Sequence, residues 1–147
     1  MICAMSNQKH YRCLESMYAA APINSFYDPV LEVQEGRASI TIELSEKYYH
    51  AAGAVHGSVY FKMLDDAAFF AVNSLVKDFF VLTVSFNIYL TRPVTKGILV
   101  AQGQVVSRSV NYFVADSVLT VNNKEVARGS GSFLRSRAEL AGVESYK

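Results

Sequence analysis

The chain predicts an α+β fold in which an antiparallel sheet of about six strands wraps around one long central helix. Three observations carry this reading. Residues 50–75, HAAGAVHGSVYFKMLDDAAFFAVNSL, form a long apolar segment that reads as a buried helix. Flanking it are short runs with the period-two alternation of half-buried strands. Two of these runs precede the helix and four follow it, an order suited to one sheet folded about one helix. With 147 residues, 51% of them hydrophobic and 18% charged, the chain can build one real core. Residues 1–147 therefore read as a single domain, with 1–28 as an N-terminal helical extension.

The elements follow in order. A short helix spans Tyr11 to Ala20, where Leu14, Met17 and Tyr18 fall on one face and Pro22 stops it. In DPVLEVQEGRASITIEL, Leu31 and Val33 alternate with Glu32 and Gln34, and Ile40, Ile42 and Leu44 with Thr41 and Glu43. Glu35-Gly36 between them makes this a hairpin. The central helix starts at His56-Gly57-Ser58. After it, VLTVSFNIYL sets Leu82, Val84, Phe86, Ile88 and Leu90 on one face and Thr83, Ser85, Asn87 and Tyr89 on the other, and Arg92-Pro93 ends the run. ILVAQGQVVS, YFVADSVLTV and EVARGSGSFL complete the set, the last two joined by the tight-turn sequence Asn122-Asn123-Lys124.

Composition excludes several functions. Fourteen basic and 13 acidic residues are spread along the chain for a net charge of +1, with no basic run to follow a phosphate backbone, so nucleic acid is not an expected partner. Cys3 and Cys13 are too few and too clustered for a disulfide framework or a zinc site. The three histidines show no metal-ligand spacing, so no metal is expected. The start lacks the pattern of a signal peptide, and no run of 18 apolar residues occurs. The expectation is a soluble, cytoplasmic protein that does not enter a membrane.

Acid on the apolar helix is the feature that needs a reason. Asp65 shares a helical face with Phe61, Ala68, Phe69 and Val72, whereas Asp66 shares one with Lys62 and Asn73. Asp66 reads as a solvated acid paired with a lysine one turn back. Asp65 has no such partner, and a carboxylate on an apolar stripe is costly unless something offsets its desolvation. Acids held in that way are often tuned for catalysis. At the helix start, the first N–H groups lack intrahelical partners. With no side chain on Gly57, a polarised oxygen could reach its N–H at the positive end of the helix dipole; the plainer reading has Gly57 permit packing while His56 or Ser58 caps the helix. Gly57 and Asp65 are eight residues apart, about 12 Å along a helix at 1.5 Å per residue. One carbonyl cannot meet both within one chain. If both act, Asp65 meets the Gly57 of a second copy, and the expected state is a homodimer or a dimer of dimers.

The segment HGSVYFKMLDDAAFFAVNS, together with the strand order and FNIYLTRPV, resembles the hot-dog-fold thioesterases of the phenylacetate (PaaI-like) type, from about Asp28 to Arg135. The resemblance implies a hot-dog thioesterase domain that hydrolyses acyl-CoA thioesters without a cofactor, coenzyme A being part of the substrate. It implies Asp65 as the acid that activates water, Gly57, at the His56-Gly57 start, as the group that polarises the thioester carbonyl, and Thr83 as a hydroxyl that helps hold the water. Ser58 stands where the motif has a second glycine. His50, six residues before His56, stands where related enzymes often have an Asn that contacts the carbonyl; imidazole also donates a hydrogen bond, but it is larger and titrates near neutrality. The coenzyme A arm falls on RSVNYF, with Arg108 or Arg137 for phosphate and Ser109, Val110 and Asn111 for backbone contacts.

Two other readings are weighed against the thioesterase. A hot-dog dehydratase or hydratase would need a His and an acid in a different local arrangement. A non-catalytic acyl-CoA-binding sensor of the same fold would usually carry a DNA-binding domain, and the roughly two dozen residues before the first strand are too short for one. A serine hydrolase is set aside, because Gly129-Ser130-Gly131 is not a nucleophile elbow.

Overall fold

The computed structural model describes residues 6–147, so Cys3 lies outside the described residues. Helix α1 (Asn7–Ala20) and the single turn α2 (Asn24–Tyr27) precede β1 (Val30–Gln34) and β2 (Arg37–Glu43). Helix α3 (Gly57–Asn73) follows, then β3 (Phe79–Leu90), β4 (Ile98–Arg108), β5 (Tyr112–Val121) and β6 (Lys124–Glu139). The six strands form one sheet in the order β1-β2-β4-β5-β6-β3, and every neighbouring pair is antiparallel. The turns are those the residue types demand. Asn122 and Asn123, with φ of 52° and 62°, make the two-residue β5–β6 turn, a conformation that asparagine tolerates better than most residues.

The helix lies against one face of this sheet. Its Met63, Leu64, Ala67, Ala68, Ala71 and Val72 have no exposed surface; Met63, Leu64, Ala67 and Ala71 cluster with strand residues such as Ile40, Leu99, Ala101 and Leu119, and Ala68 and Val72 with Val81, Phe113 and Phe133. Close approach depends on Gly103 in β4, where a Cβ would stand 2.2 Å from the Ala67 carbonyl oxygen. Only glycine lets the helix backbone come so near the strand. Gly129 and Gly131, set aside above as an elbow, have a packing role in β6: a Cβ at either would run into the Phe86 ring, at 2.5 Å and 2.2 Å.

Three expectations need correction. Helix α1 begins at Asn7 rather than near Tyr11, because the Ser6 side chain accepts the Lys9 N–H and supplies a cap. The last strand runs to Glu139, five residues past Leu134, and pairs there with Phe79 at the start of β3. The simple alternation of β3 also fails. A register shift between Thr83 and Ser85 switches the faces, so Val81 is fully buried and Phe86 and Ile88 pack on the core, while Leu82 and Val84 are exposed. A β-bulge inserts one residue and re-aims every side chain beyond it.

Buried polar groups seat the C-terminal end of α3. Asn73 donates to the carbonyls of Val76 and Phe79, each at 3.0 Å, and accepts the Val81 N–H at 3.3 Å. Ser74 Oγ accepts the Gly36 N–H and donates to the Ala71 carbonyl. His10 of α1 is fully buried, with Nε2 2.8 Å from the Asn73 carbonyl and Nδ1 2.5 Å from the Tyr146 hydroxyl. Burial holds its pKa below the usual value, so the neutral ring donates from Nε2 and accepts at Nδ1. Among the described residues no helix is long and apolar enough to cross a membrane.

Gly103→Ala should lower the free energy of unfolding by about 3 kcal/mol, because overpacking against backbone has no side chain to yield. Gly142→Ala, with open space around its Cβ position, should stay within about 0.5 kcal/mol of wild type. Urea denaturation of the two variants checks this.

Candidate active site

Asp65 stands half-buried on the side of α3 that faces β3. The Thr83 hydroxyl donates to its Oδ1 at 3.0 Å. This contact follows from the bulge and the Asn73 clamp together. The clamp fixes where β3 leaves the helix, and Thr83, paired with the buried Phe133, lies on the helix side of the sheet just before the register shifts. Desolvation pushes the Asp65 carboxyl up to about 6. The Thr83 hydrogen bond and the Lys62 ammonium oppose that rise, and the neighbouring Asp66 charge adds to it.

Asp66 is tied down differently. The expected Lys62 pair is present at 2.6 Å, but Asp66 is not a solvated acid, since its side chain is only 21% exposed. It also accepts the Tyr18 hydroxyl at 2.8 Å, and Lys62 lies over the rings of Tyr18 and Tyr27. Burial and the Asp66 carboxylate together hold the Tyr18 hydroxyl far above its usual range, so it stays protonated and donates. Two adjacent aspartates thus have opposite surroundings. Asp66 is compensated by a cation and a hydroxyl, whereas Asp65 has one neutral donor.

Asp65 and Thr83 line a cavity of about 560 Å³ between α3, the end of α1 and the C-terminal residues. Phe69, Phe70 and Phe80 form part of its apolar wall. Of the aromatics on α3, Phe69 and Phe70 belong to it; Tyr60 is buried near the start of the helix, and Phe61 is 41% exposed against Phe86.

The start of α3 forms a second locus. His56 is its N-cap, and its Nδ1 accepts the Ser58 N–H at 3.0 Å. The Gly57 N–H has no partner among the described residues. A Cβ on Gly57 would meet only a Leu90 methyl at 3.4 Å, an ordinary contact, so packing within the chain does not require glycine there. His50 and Gly57 line the same cavity of about 290 Å³, with Tyr60, Leu90 and Arg92. Because His50 Nδ1 accepts the Ala52 N–H at 3.0 Å, its Nε2 carries the proton and is the ring's free donor.

The structure therefore brings the predicted residues together in two groups, Asp65 with Thr83 and Gly57 with His50, which lie apart along the same helix. Residues Arg108, Ser109, Val110 and Asn111 join neither group, and nor does Arg137. Ser109 is already engaged, its N–H donating to the Tyr112 carbonyl at 2.8 Å and its Oγ accepting the Tyr112 N–H. The Asn111 carbonyl accepts the Arg135 N–H, and Val110 projects at the tip, 80% exposed. Sequence reasoning missed the roles of Tyr18 and Asn73, and of Lys62 it gave only the pair with Asp66. The Asn-Ser pair closing the helix was the one visible signal for the clamp, while nothing local joins Tyr18 to Asp66. Among the described residues no three His, Cys, Asp or Glu side chains gather as a metal site.

The thioesterase superfamily model matches residues 52–123, from the turn before α3 to the β5–β6 turn. No curated protein sequence matches the chain. Among solved structures, it is similar to the PaaI protein of the Escherichia coli phenylacetic acid degradation operon, with a TM-score of 0.82 at 21% identity over 90% of this chain and 97% of that one. A phenylacetic acid degradation-related protein from Ralstonia eutropha superposes with a TM-score of 0.73 at 19% identity, covering 83% and 98%. A variant of the phenylacetic acid degradation protein PaaI from Thermus thermophilus gives 0.72 at 19%, covering 78% and 99%. At these identities the superpositions speak for the fold, and the family match speaks for the segment that holds Gly57, Asp65 and Thr83. Residues 52–123 are thus similar to the thioesterase superfamily, and the chain has the hot-dog fold of these solved structures.

Proposed function

We propose that this protein hydrolyses acyl-CoA thioesters at a site shared by two copies of the chain, using water and Asp65. The observation that carries the proposal is the half-buried carboxylate beside Thr83 on an apolar cavity, separated along one helix from an unpartnered Gly57 N–H. Water held between Asp65 Oδ2 and the Thr83 hydroxyl gives a proton to Asp65 as its oxygen attacks the thioester carbon. The Gly57 N–H of the other copy, at the positive end of its helix, takes the developing oxyanion, and His50 Nε2–H stands in the same cavity as a second donor. The C–S bond then breaks, and the proton on Asp65 passes to the departing coenzyme A thiolate. Water and thioester become acid and thiol with no cofactor.

Two features support the second copy. Strand β3 ends the sheet with a twelve-residue edge that no strand among the described residues covers; such an edge invites pairing. Beside it Phe61, Val84 and Leu90 are 41%, 56% and 49% exposed, more apolar surface than a free edge usually shows. Two antiparallel copies about a two-fold axis would set Asp65 of each opposite Gly57 of the other.

Asp65→Asn should lower kcat at least 100-fold, since the amide keeps the shape but takes no proton. In the wild type kcat should rise with pH through about 6, where Asp65 ionises. Stability should move the opposite way. Because the folded pKa lies above the unfolded one, the folded state binds more protons between about pH 4 and pH 6, and stability falls as pH rises through that window. Above it the penalty is complete. Asp65→Asn should therefore melt higher than wild type at pH 7 and no higher at pH 4, as scanning calorimetry would show. A pH-independent difference would mean that the carboxylate is not strained.

Mixed dimers test the sharing. Gly57→Val should block the carbonyl while leaving Asp65 intact, and Asp65→Asn does the reverse. If sites are shared, a mixed dimer has one site with both defects and one with neither. Random pairing of equal amounts makes about half the dimers mixed, each with one intact site, so roughly a quarter of wild-type activity should return from two inactive parents. Absence of recovery, with mixed dimers confirmed by native mass spectrometry, would mean that each site is built within one chain.

A further inference from the structure

We infer that the end of α1 and the turn after it form the outer wall of the acyl chamber, and that this wall selects uncharged, apolar acyl groups of medium length over short or charged ones. The inference rests on the acyl-CoA reading and adds the substrate class. The cavity that begins at Asp65 and Thr83 continues past Phe69 and Phe80 to Met17, Ala20 and Ile23. Phe69 lies one helical turn beyond Asp65, roughly 6 Å along α3, which leaves room past the reacting carbon for several methylenes. The small residues Ala20 and Ala21 leave the mouth open, where larger side chains at the same positions would fill it.

The wall is fixed in place. Tyr18 donates to Asp66, its ring packs edge-on against Phe70 at 4.9 Å, and its carbonyl accepts from Asn24 at 2.7 Å. The same latch disposes of charge. Lys62, the one cation among the described residues of the chamber wall, is committed to Asp66 and two aromatic rings. The carboxylates of Asp65 and Asp66 share that wall. An acyl group ending in a carboxylate would be desolvated with no uncommitted cation among the described wall residues to meet it and the Asp65 carboxylate to repel it.

The test compares acetyl-, butyryl-, octanoyl- and succinyl-CoA. With the wild type, kcat/KM should rise about threefold per methylene from acetyl to octanoyl, and succinyl-CoA should fall at least 100-fold below butyryl-CoA, its uncharged four-carbon counterpart. Ala20→Phe, at an exposed position that tolerates bulk, should reduce the octanoyl-to-acetyl ratio at least tenfold, and Ile23→Ser, 60% exposed, should reduce it less. A flat profile, or an Ala20→Phe variant that slows every thioester alike, overturns the chamber while leaving the hydrolase reading in place. Activity on none of the four overturns the acyl-CoA reading. In that event octanoate titrated into labelled wild-type protein decides the chamber separately, by shifting the amide signals of Ala20, Ile23 and Phe69 or by failing to.

Discussion

Everything in this molecule depends on how closely α3 can sit on the sheet. The backbone of Ala67 and Ala68 rests directly on Gly103, at a distance that leaves no room for a Cβ. That contact sets the depth of the helix and allows small residues at 67, 68 and 71 to be fully buried. Rotation about the helix axis follows from it. With 67, 68 and 71 turned to the sheet, 65 and 69 fall along the seam with β3, and 62 and 66 fall toward α1. The positions of both aspartates are consequences of one close approach.

From that geometry comes a division of labour between neighbours. Asp66 faces an element that brings a hydroxyl, and Lys62 from the turn before supplies the countercharge, so its burial is compensated. Asp65 faces the seam, where the chain provides only Thr83 and aromatic surface. A carboxyl there keeps its proton more readily than in water, and it would be a stronger base for the same reason. Lys62 and Asp66 act on it in opposite senses. The compensated pair thus serves as local support for the uncompensated acid, and it fastens α1 over the cavity at the same point.

The seam also gathers the features that the proposed second copy would cover. The edge of β3, the exposed Phe61 and the open side of Asp65 lie along it, and at the far end of the helix the Gly57 N–H lacks a partner among the described residues. An orphan donor at a helix start and a strained acid two turns away are complementary in charge, yet rigid helix geometry keeps them about 12 Å apart. In the proposed dimer, a two-fold axis along the seam would resolve that mismatch for both helices at once.

Much of this was legible in residue order, and the division between what was legible and what was not has a physical cause. Periodicity is a local property, so the number and order of strands, the central helix, the Glu35-Gly36 and Asn122-Asn123 turns and the separation of Asp65 from Asp66 by face could all be read from neighbours a few residues apart. The aspartate that needed a reason was found in that way. Three things were settled only by contacts between distant segments. The bulge that puts Thr83 against Asp65 depends on the β6 ladder opposite it, fifty residues on in β6 at Phe133, and strict alternation in the β3 sequence gave no sign of it. Asp66 was misread as solvated because Tyr18 lies 48 residues away on another helix. The wall of the cavity is assembled from α1, α3, β3 and the last residues of the chain, which share no local pattern and become neighbours only when the apolar helix is buried and the ends of the chain close over it.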